Sequence, residues 1–189
     1  PSQEIFEFDS LGRLVGKTNP VGQSHVLTYN TASVTVADGA GNSFEFTQDN
    51  RGQPLSLSAT DISIVYGYDN SSRLVSVTKN QLGVSQVRGF HYENSSYPRF
   101  LTGITDERGV RYATWTYDTQ GRAITSEHAG GAEKVSIVYN SDGSASVTNE
   151  LGKATTYRFQ VIQGVKHISA IEGEPSANCP SSNSVFTYD

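Results

Sequence analysis

Apolar and polar positions along this 189-residue chain alternate over short stretches and never settle into a longer period. In 33–36 (SVTV), 61–66 (DISIVY), 134–139 (KVSIVY), 144–148 (SASVT) and 167–171 (HISAI), apolar residues take turns with Ser, Thr or charged ones. That is the period of a β-strand, whose successive side chains point to opposite faces, so one sheet face is drier than the other. Val, Ile, Thr, Tyr and Phe fit such a pleated surface, and no stretch carries a helical stripe. Strands that return about every ten residues with turns between them predict antiparallel hairpins in series.

The turns repeat as phrases. An aromatic, Asp or Asn, a short polar stretch, Gly-Arg and an apolar residue appear as Phe8-Asp9-Ser10-Leu11-Gly12-Arg13-Leu14, as Tyr68-Asp69-Asn70-Ser71-Ser72-Arg73-Leu74 and as Tyr117-Asp118-Thr119-Gln120-Gly121-Arg122-Ala123. Weaker copies are Tyr29-Asn30 and Tyr139-Asn140, and Tyr188-Asp189 opens one more. Between them lies a second phrase with Asp or Asn and a later Gly, seen at Asn19 with Gly22, Asp38 with Gly41, Asp106 with Gly109 and Asn149 with Gly152. Asp or Asn bonds its own backbone two residues on, and the Gly supplies positive φ without a side-chain clash. Arg13 and Arg73 stand four residues after Asp9 and Asp69, where a guanidinium can reach back to the carboxylate as a turn clamp. The aromatics before these turns, roughly 17 to 29 residues apart, are placed to form a ladder along the sheet, and such a period marks a stack of one unit.

With these phrases the chain resembles the Rhs or YD-repeat family, and the string from Leu101 through Tyr117-Asp118 and Gly121-Arg122 to Gly131 is close to bacterial Rhs proteins. Phe8 in place of Tyr, Ser72 in place of Gly and Ala123 in place of a large apolar residue are departures from the pattern. The resemblance implies serial hairpins forming a curved, spiralling β-sheet, part of a hollow shell around a C-terminal toxin domain, as in polymorphic toxins, insecticidal toxin complex C components and teneurins. It also implies that the repeats are packaging. The family's self-cleaving segment carries Asp-Pro-x-Gly; Asn19-Pro20-Val21-Gly22 comes nearest and fits the ordinary second phrase.

Composition agrees with a wall. The hydrophobic fraction is 35% and the charged fraction 17%, so neutral polar residues make up much of the surface that a sheet facing a wet lumen needs. A net charge of −5 without clustered Lys or Arg excludes a nucleic-acid partner. No run is long and apolar enough to span a bilayer, and no signal-like start is visible. The absence of Met and the phrase opening at Tyr188-Asp189 lead us to expect a fragment of a longer array over 1–189, whose uncapped sheet edges favour homo-oligomers. Residues 172–184, rich in Pro, Ser and Asn, read as a loop-like insertion holding the lone Cys179, which excludes an internal disulfide.

Candidate chemistry is sparse. There is no Gly-x-Ser-x-Gly elbow, phosphate-cradling Gly-x-x-x-x-Gly-Lys or His-Glu-x-x-His, and His25, His91, His128 and His167 are scattered over different units. Asp38-Gly39-Ala40-Gly41-Asn42 lacks the carboxylate series that calcium needs and reads as a turn. We therefore expect a non-enzymatic module with no cofactor and no metal, secreted or delivered to a cell surface after synthesis in the bacterial cytoplasm. Its expected partners are adjacent repeats and the enclosed toxin domain. The alternative is a carbohydrate or cell-surface binding module, suggested by ten Tyr and by Trp115, whose flat rings suit sugar stacking.

Overall fold

The computed structural model describes residues 3–173, 175 and 180–188. Among them the chain is all-β, with seventeen strands, one 3-10 turn at Ala129–Gly131 and no α-helix. Two compact units share the strands, 1–89 and 90–189. The first unit runs β1 (Ile5–Phe8), β2 (Leu14–Thr18), β3 (Ser24–Tyr29), β4 (Ser33–Asp38), β5 (Ser43–Gln48), β6 (Pro54–Ala59), β7 (Ile62–Tyr68), β8 (Leu74–Gln81) and β9 (Val84–His91), whose last two residues count to the second unit. Each strand pairs antiparallel with the next in sequence, from Ile5↔Thr18 through Ile62↔Gln81 to Gln81↔Val84.

The second unit repeats the plan with β10 (Gly103–Thr105), β11 (Arg111–Tyr117), β12 (Ala123–His128), β13 (Val135–Tyr139), β14 (Ala145–Thr148), β15 (Ala154–Ile162), β16 (Val165–Gly173) and β17 (Ser182–Val185). These too pair with their sequence neighbours. The five alternating stretches read from the sequence fall on β4, β7, β13, β14 and β16. The loop-like reading of 172–184 needs correction at both ends. Glu172 and Gly173 close β16 and pair with Asn183 and Ser182 of β17, since the hairpin ladder continues past the polar composition. Cys179 and Asp189 lie outside the described residues.

Neither unit is built around a core. Among the described residues only Val34 and Ala113 are buried hydrophobics, and no large side chain is fully enclosed. Apolar residues such as Phe6, Phe44, Val65, Val87 and Val138 remain exposed on the sheet. Cohesion therefore comes from the ladders and from cross-strand pairs on each face. Hydroxyl pairs recur there: Thr47 with Ser56 at 2.7 Å, Thr116 with Thr125 at 2.6 Å and Ser146 with Thr156 at 3.1 Å.

Corners with an extra residue set the register. At Phe8↔Leu14, Tyr68↔Leu74 and Tyr117↔Ala123 the pairing shifts just before the turn, so the pre-turn aromatic sits at a bulge. Such a bulge needs a left-handed residue, and Gly12 and Gly121 both have φ of +76°. They differ in surroundings: a Cβ on Gly12 meets open space, whereas one on Gly121 comes within 3.2 Å of the Tyr97 and Phe100 rings. Gly12→Val is expected to lower unfolding free energy by about 1–2 kcal/mol through the backbone alone. Gly121→Val is expected to cost clearly more in the same denaturant titration, because those rings must also give way.

Candidate functional site

The repeated turn is the most elaborated polar feature of the chain. In the Asp9–Arg13 turn, the Asp9 N–H donates to the Arg13 carbonyl at 2.9 Å and the Gly12 N–H donates to the Asp9 carbonyl at 3.0 Å. Asp9 Oδ1 accepts from the backbone N–H groups of Leu11 and Arg13, both at 2.9 Å, and Oδ2 accepts from Arg13 Nε at 2.7 Å. Asp69 with Arg73 and Asp118 with Arg122 repeat this arrangement, the guanidinium bonds measuring 2.6 and 2.7 Å. The same double acceptance of two N–H groups recurs at Asn19, Asp38, Asp49, Asp106 and Asn149.

Departures are instructive. Ser72 occupies the Gly position of its turn with φ of +59°. Asp106, a buried residue, pairs with Arg108 two residues on rather than four, because Val110 holds the usual Arg place. In the turn that begins at Asn140, that residue donates to Ser144 and Ser146 hydroxyls, and Asp142 takes the Ser144 N–H instead. Gly109 and Gly152 are the left-handed residues of their turns, with φ of +76° and +77°.

The pre-turn tyrosines do more than pack. The hydroxyls of Tyr29, Tyr68 and Tyr139 donate to the carbonyl that begins the preceding strand, on Leu14, Pro54 and Ala123, at 2.9 to 3.0 Å. Tyr188 donates to Ile168 within β16, and Tyr117 to Leu101 just before β10, both at 2.7 Å. Clamp arginines lie over the next tyrosine ring, Arg13 on Tyr29 at 4.5 Å and Arg122 on Tyr139 at 4.1 Å. The row is thus linked by guanidinium on ring and hydroxyl on carbonyl, where the sequence suggested a ladder of rings. A ring-to-ring series does occur at Tyr97, Phe100 and Tyr117, with centroids 4.8 and 4.9 Å apart.

In the second unit a denser polar cluster joins the segment after β9 to β11. Arg111 donates through both Nη atoms to the Glu93 carboxylate at 3.1 and 2.8 Å, and the Thr102 hydroxyl lies 3.0 Å from the same carboxylate. Arg111 packs directly on Gly103, where any Cβ would collide with its guanidinium. The Arg111 bonds, with the Thr102 hydroxyl, bring Glu93 down from 4.5 to about 2 against desolvation. Trp115 is half-buried in β11 beside this cluster, lining a shallow depression with Glu93, Asn94 and Thr102. Among the described residues no group of His, Cys, Asp and Glu could hold a metal. Among those residues, too, no helix is long and apolar enough to cross a membrane.

The fold and its corners define a repeat array of antiparallel hairpins closed by Asx turns. The chain is similar to the solved structure of TcdB2-TccC3-Cdc42, with a TM-score of 0.49 and 11% identity over 96% of this chain. It is also similar to the Photorhabdus luminescens Tc holotoxin pore, at 0.48 and 12% over 96%. In both cases it spans 9% of that chain. A porin-like protein from Bacteroides uniformis is similar at 0.40 and 10%, over 98% of this chain and 91% of that one. No family model and no curated protein matches the chain.

Two measurements probe the corners. Asp118→Ala removes both N–H contacts and the Arg122 clamp and is expected to lower the unfolding free energy. Asp118→Asn keeps Oδ1 and is expected to cost less than half of that by chemical denaturation. The second measurement is acid unfolding. The backbone N–H of the following Arg, assisted by its guanidinium, holds Asp9, Asp69 and Asp118 below the usual carboxylate range. Groups depressed in the folded state stabilise it above their unfolded values and lose that contribution as pH falls through the folded ones. Melting temperature should be level near neutrality and drop as pH falls from 4.5 to about 2. Glu93→Gln should make that drop smaller.

Proposed function

We propose that the chain is a non-catalytic wall module, a stretch of repeat sheet whose task in a longer protein is to enclose a toxin domain. The observation that carries this reading is the combination of recurring Asx corners with strands that bond only to their neighbours and bury almost nothing. A layer of this kind is extensible: each added hairpin repeats the same bonds, so its length is set by the number of units and not by the volume of a core. Exposed side chains such as Phe44, Val65 and Val138 then have a surface to meet when cargo or further wall lies against the sheet. The resemblance of the Tyr117-Asp118 region to Rhs repeats supplies the cargo class, a C-terminal toxin domain, and with it bacterial secretion or cell-surface delivery after synthesis in the cytoplasm.

The test is a longer gene product carrying this region. Electron microscopy is expected to show these hairpins continuous with a wall, and limited proteolysis is expected to spare the enclosed domain until the wall is opened. A region that folds apart from the rest, with both sheet faces exchanging amide protons freely, would refute the proposal.

A further inference from the structure

The turn row of the first unit contains one clamp that is not closed. Asp49 accepts the Arg51 and Gln53 N–H groups through Oδ1, at 2.8 Å each, as its sister residues do. Its fourth successor is Gln53 rather than Arg, and Gln53 Nε2 reaches across to the Ser72 carbonyl at 3.2 Å, while Arg51 Nη1 donates to Ser72 Oγ at 2.9 Å. Among the described residues no group therefore bonds Asp49 Oδ2, the oxygen that takes an Arg in the Asp9, Asp69 and Asp118 turns.

Asp49 lines a cleft of about 430 Å³ with Arg13, Tyr29, Asn30, Gln48 and Asn50. The 30–33 connection that also lines it is closed by the Asn30 N–H to the Ser33 carbonyl and by Asn30 Nδ2 to the Ser33 hydroxyl, a shorter corner than the 9–13 and 49–53 turns. The volume lies within the range of roughly 300–1,000 Å³ found for small-molecule sites. Its chemistry is mixed: a carboxylate oxygen, a guanidinium whose Nε is committed to Asp9, amides that donate and accept, and an aromatic ring. An anion would meet Asp49 and a cation would meet Arg13. A neutral ligand with many hydroxyls satisfies both, and its C–H surface suits the Tyr29 ring.

We propose that this cleft is a saccharide-binding site, with Asp49 Oδ2 as the acceptor of ligand hydroxyls and Tyr29 as the aromatic wall. The site goes beyond the wall function and is independent of it, since a wall closes equally well with the cleft empty.

The experiment is a nuclear magnetic resonance titration of the chain with methyl glucoside, methyl galactoside and N-acetylglucosamine, with putrescine and inorganic phosphate as charged probes. At least one sugar should shift the amide signals of Asn30, Asp49 and Asn50. Asp49→Asn keeps the turn, because Asn19 and Asn149 hold the same two N–H groups, and should weaken binding about tenfold or more. Gln53→Arg should close the clamp on Oδ2 and abolish the shifts, with thermal unfolding of both variants cooperative as in the parent. Absence of sugar-dependent shifts at these amides, or shifts that survive both substitutions, overturns the proposal. So does stronger binding of putrescine or phosphate than of any sugar. The wall function stands or falls on the longer protein and is untouched by any of these results.

Discussion

One oxygen atom governs this structure: the Asx Oδ1 that accepts two backbone N–H groups inside a five-residue corner. A sheet with almost no buried side chains cannot rely on a core to hold its strands in register. Register must be fixed at the ends, and a corner that satisfies its own donors with a left-handed residue at a set place permits a single pairing of the strands it joins. Asp9, Asn19, Asp38, Asp49, Asp69, Asp106, Asp118 and Asn149 all meet this requirement, so Asp and Asn are interchangeable there. What the carboxylate adds over the amide is the second oxygen, free to hold an Arg.

The Arg then couples corners that are not adjacent in sequence. Arg13 closes the Asp9 turn and lies over Tyr29, and Tyr29 in turn fastens its hydroxyl to the Leu14 carbonyl beside that Arg. Arg122, Tyr139 and Ala123 do the same in the second unit. These contacts are exposed or half-buried and worth little alone, but the tyrosine-to-carbonyl bond recurs in both units. Cohesion of this kind scales with the number of repeats.

Much of this was legible in the sequence. The period of two marked strands, and the Asp-to-Gly and Asp-to-Arg spacings marked the corners, because both are local and depend on a few residues. The tyrosine hydroxyl bonds were not legible, since their acceptors are main-chain carbonyls about fifteen residues away that any residue supplies. A signal existed in the preference for Tyr over Phe wherever an aromatic directly precedes the Asp or Asn, with Phe only at 8, which a packing role alone does not require. The Glu93, Thr102 and Arg111 cluster was hidden for a related reason: its members come from an irregular segment and a strand, at separations no repeat specifies. Reading 172–184 as a loop missed the strand residues at its two ends because Ser and Asn suit an exposed strand such as β17 as well as a turn.

Degenerate copies are then the informative ones. Where the phrase is complete, every polar atom of the corner answers to another and little is left over for a ligand. Where Gln53 stands in the Arg place, the bonds that would have closed the Asp49 corner run sideways to Ser72, which itself holds a left-handed conformation that Gly would adopt without strain. The two departures are coupled: Ser72 offers the hydroxyl and carbonyl that draw Arg51 and Gln53 away, and Asp49, a residue of the cleft, is left with Oδ2 unbonded among the described residues. In a protein whose repeats are otherwise self-satisfied, chemistry collects where neighbouring units deviate together.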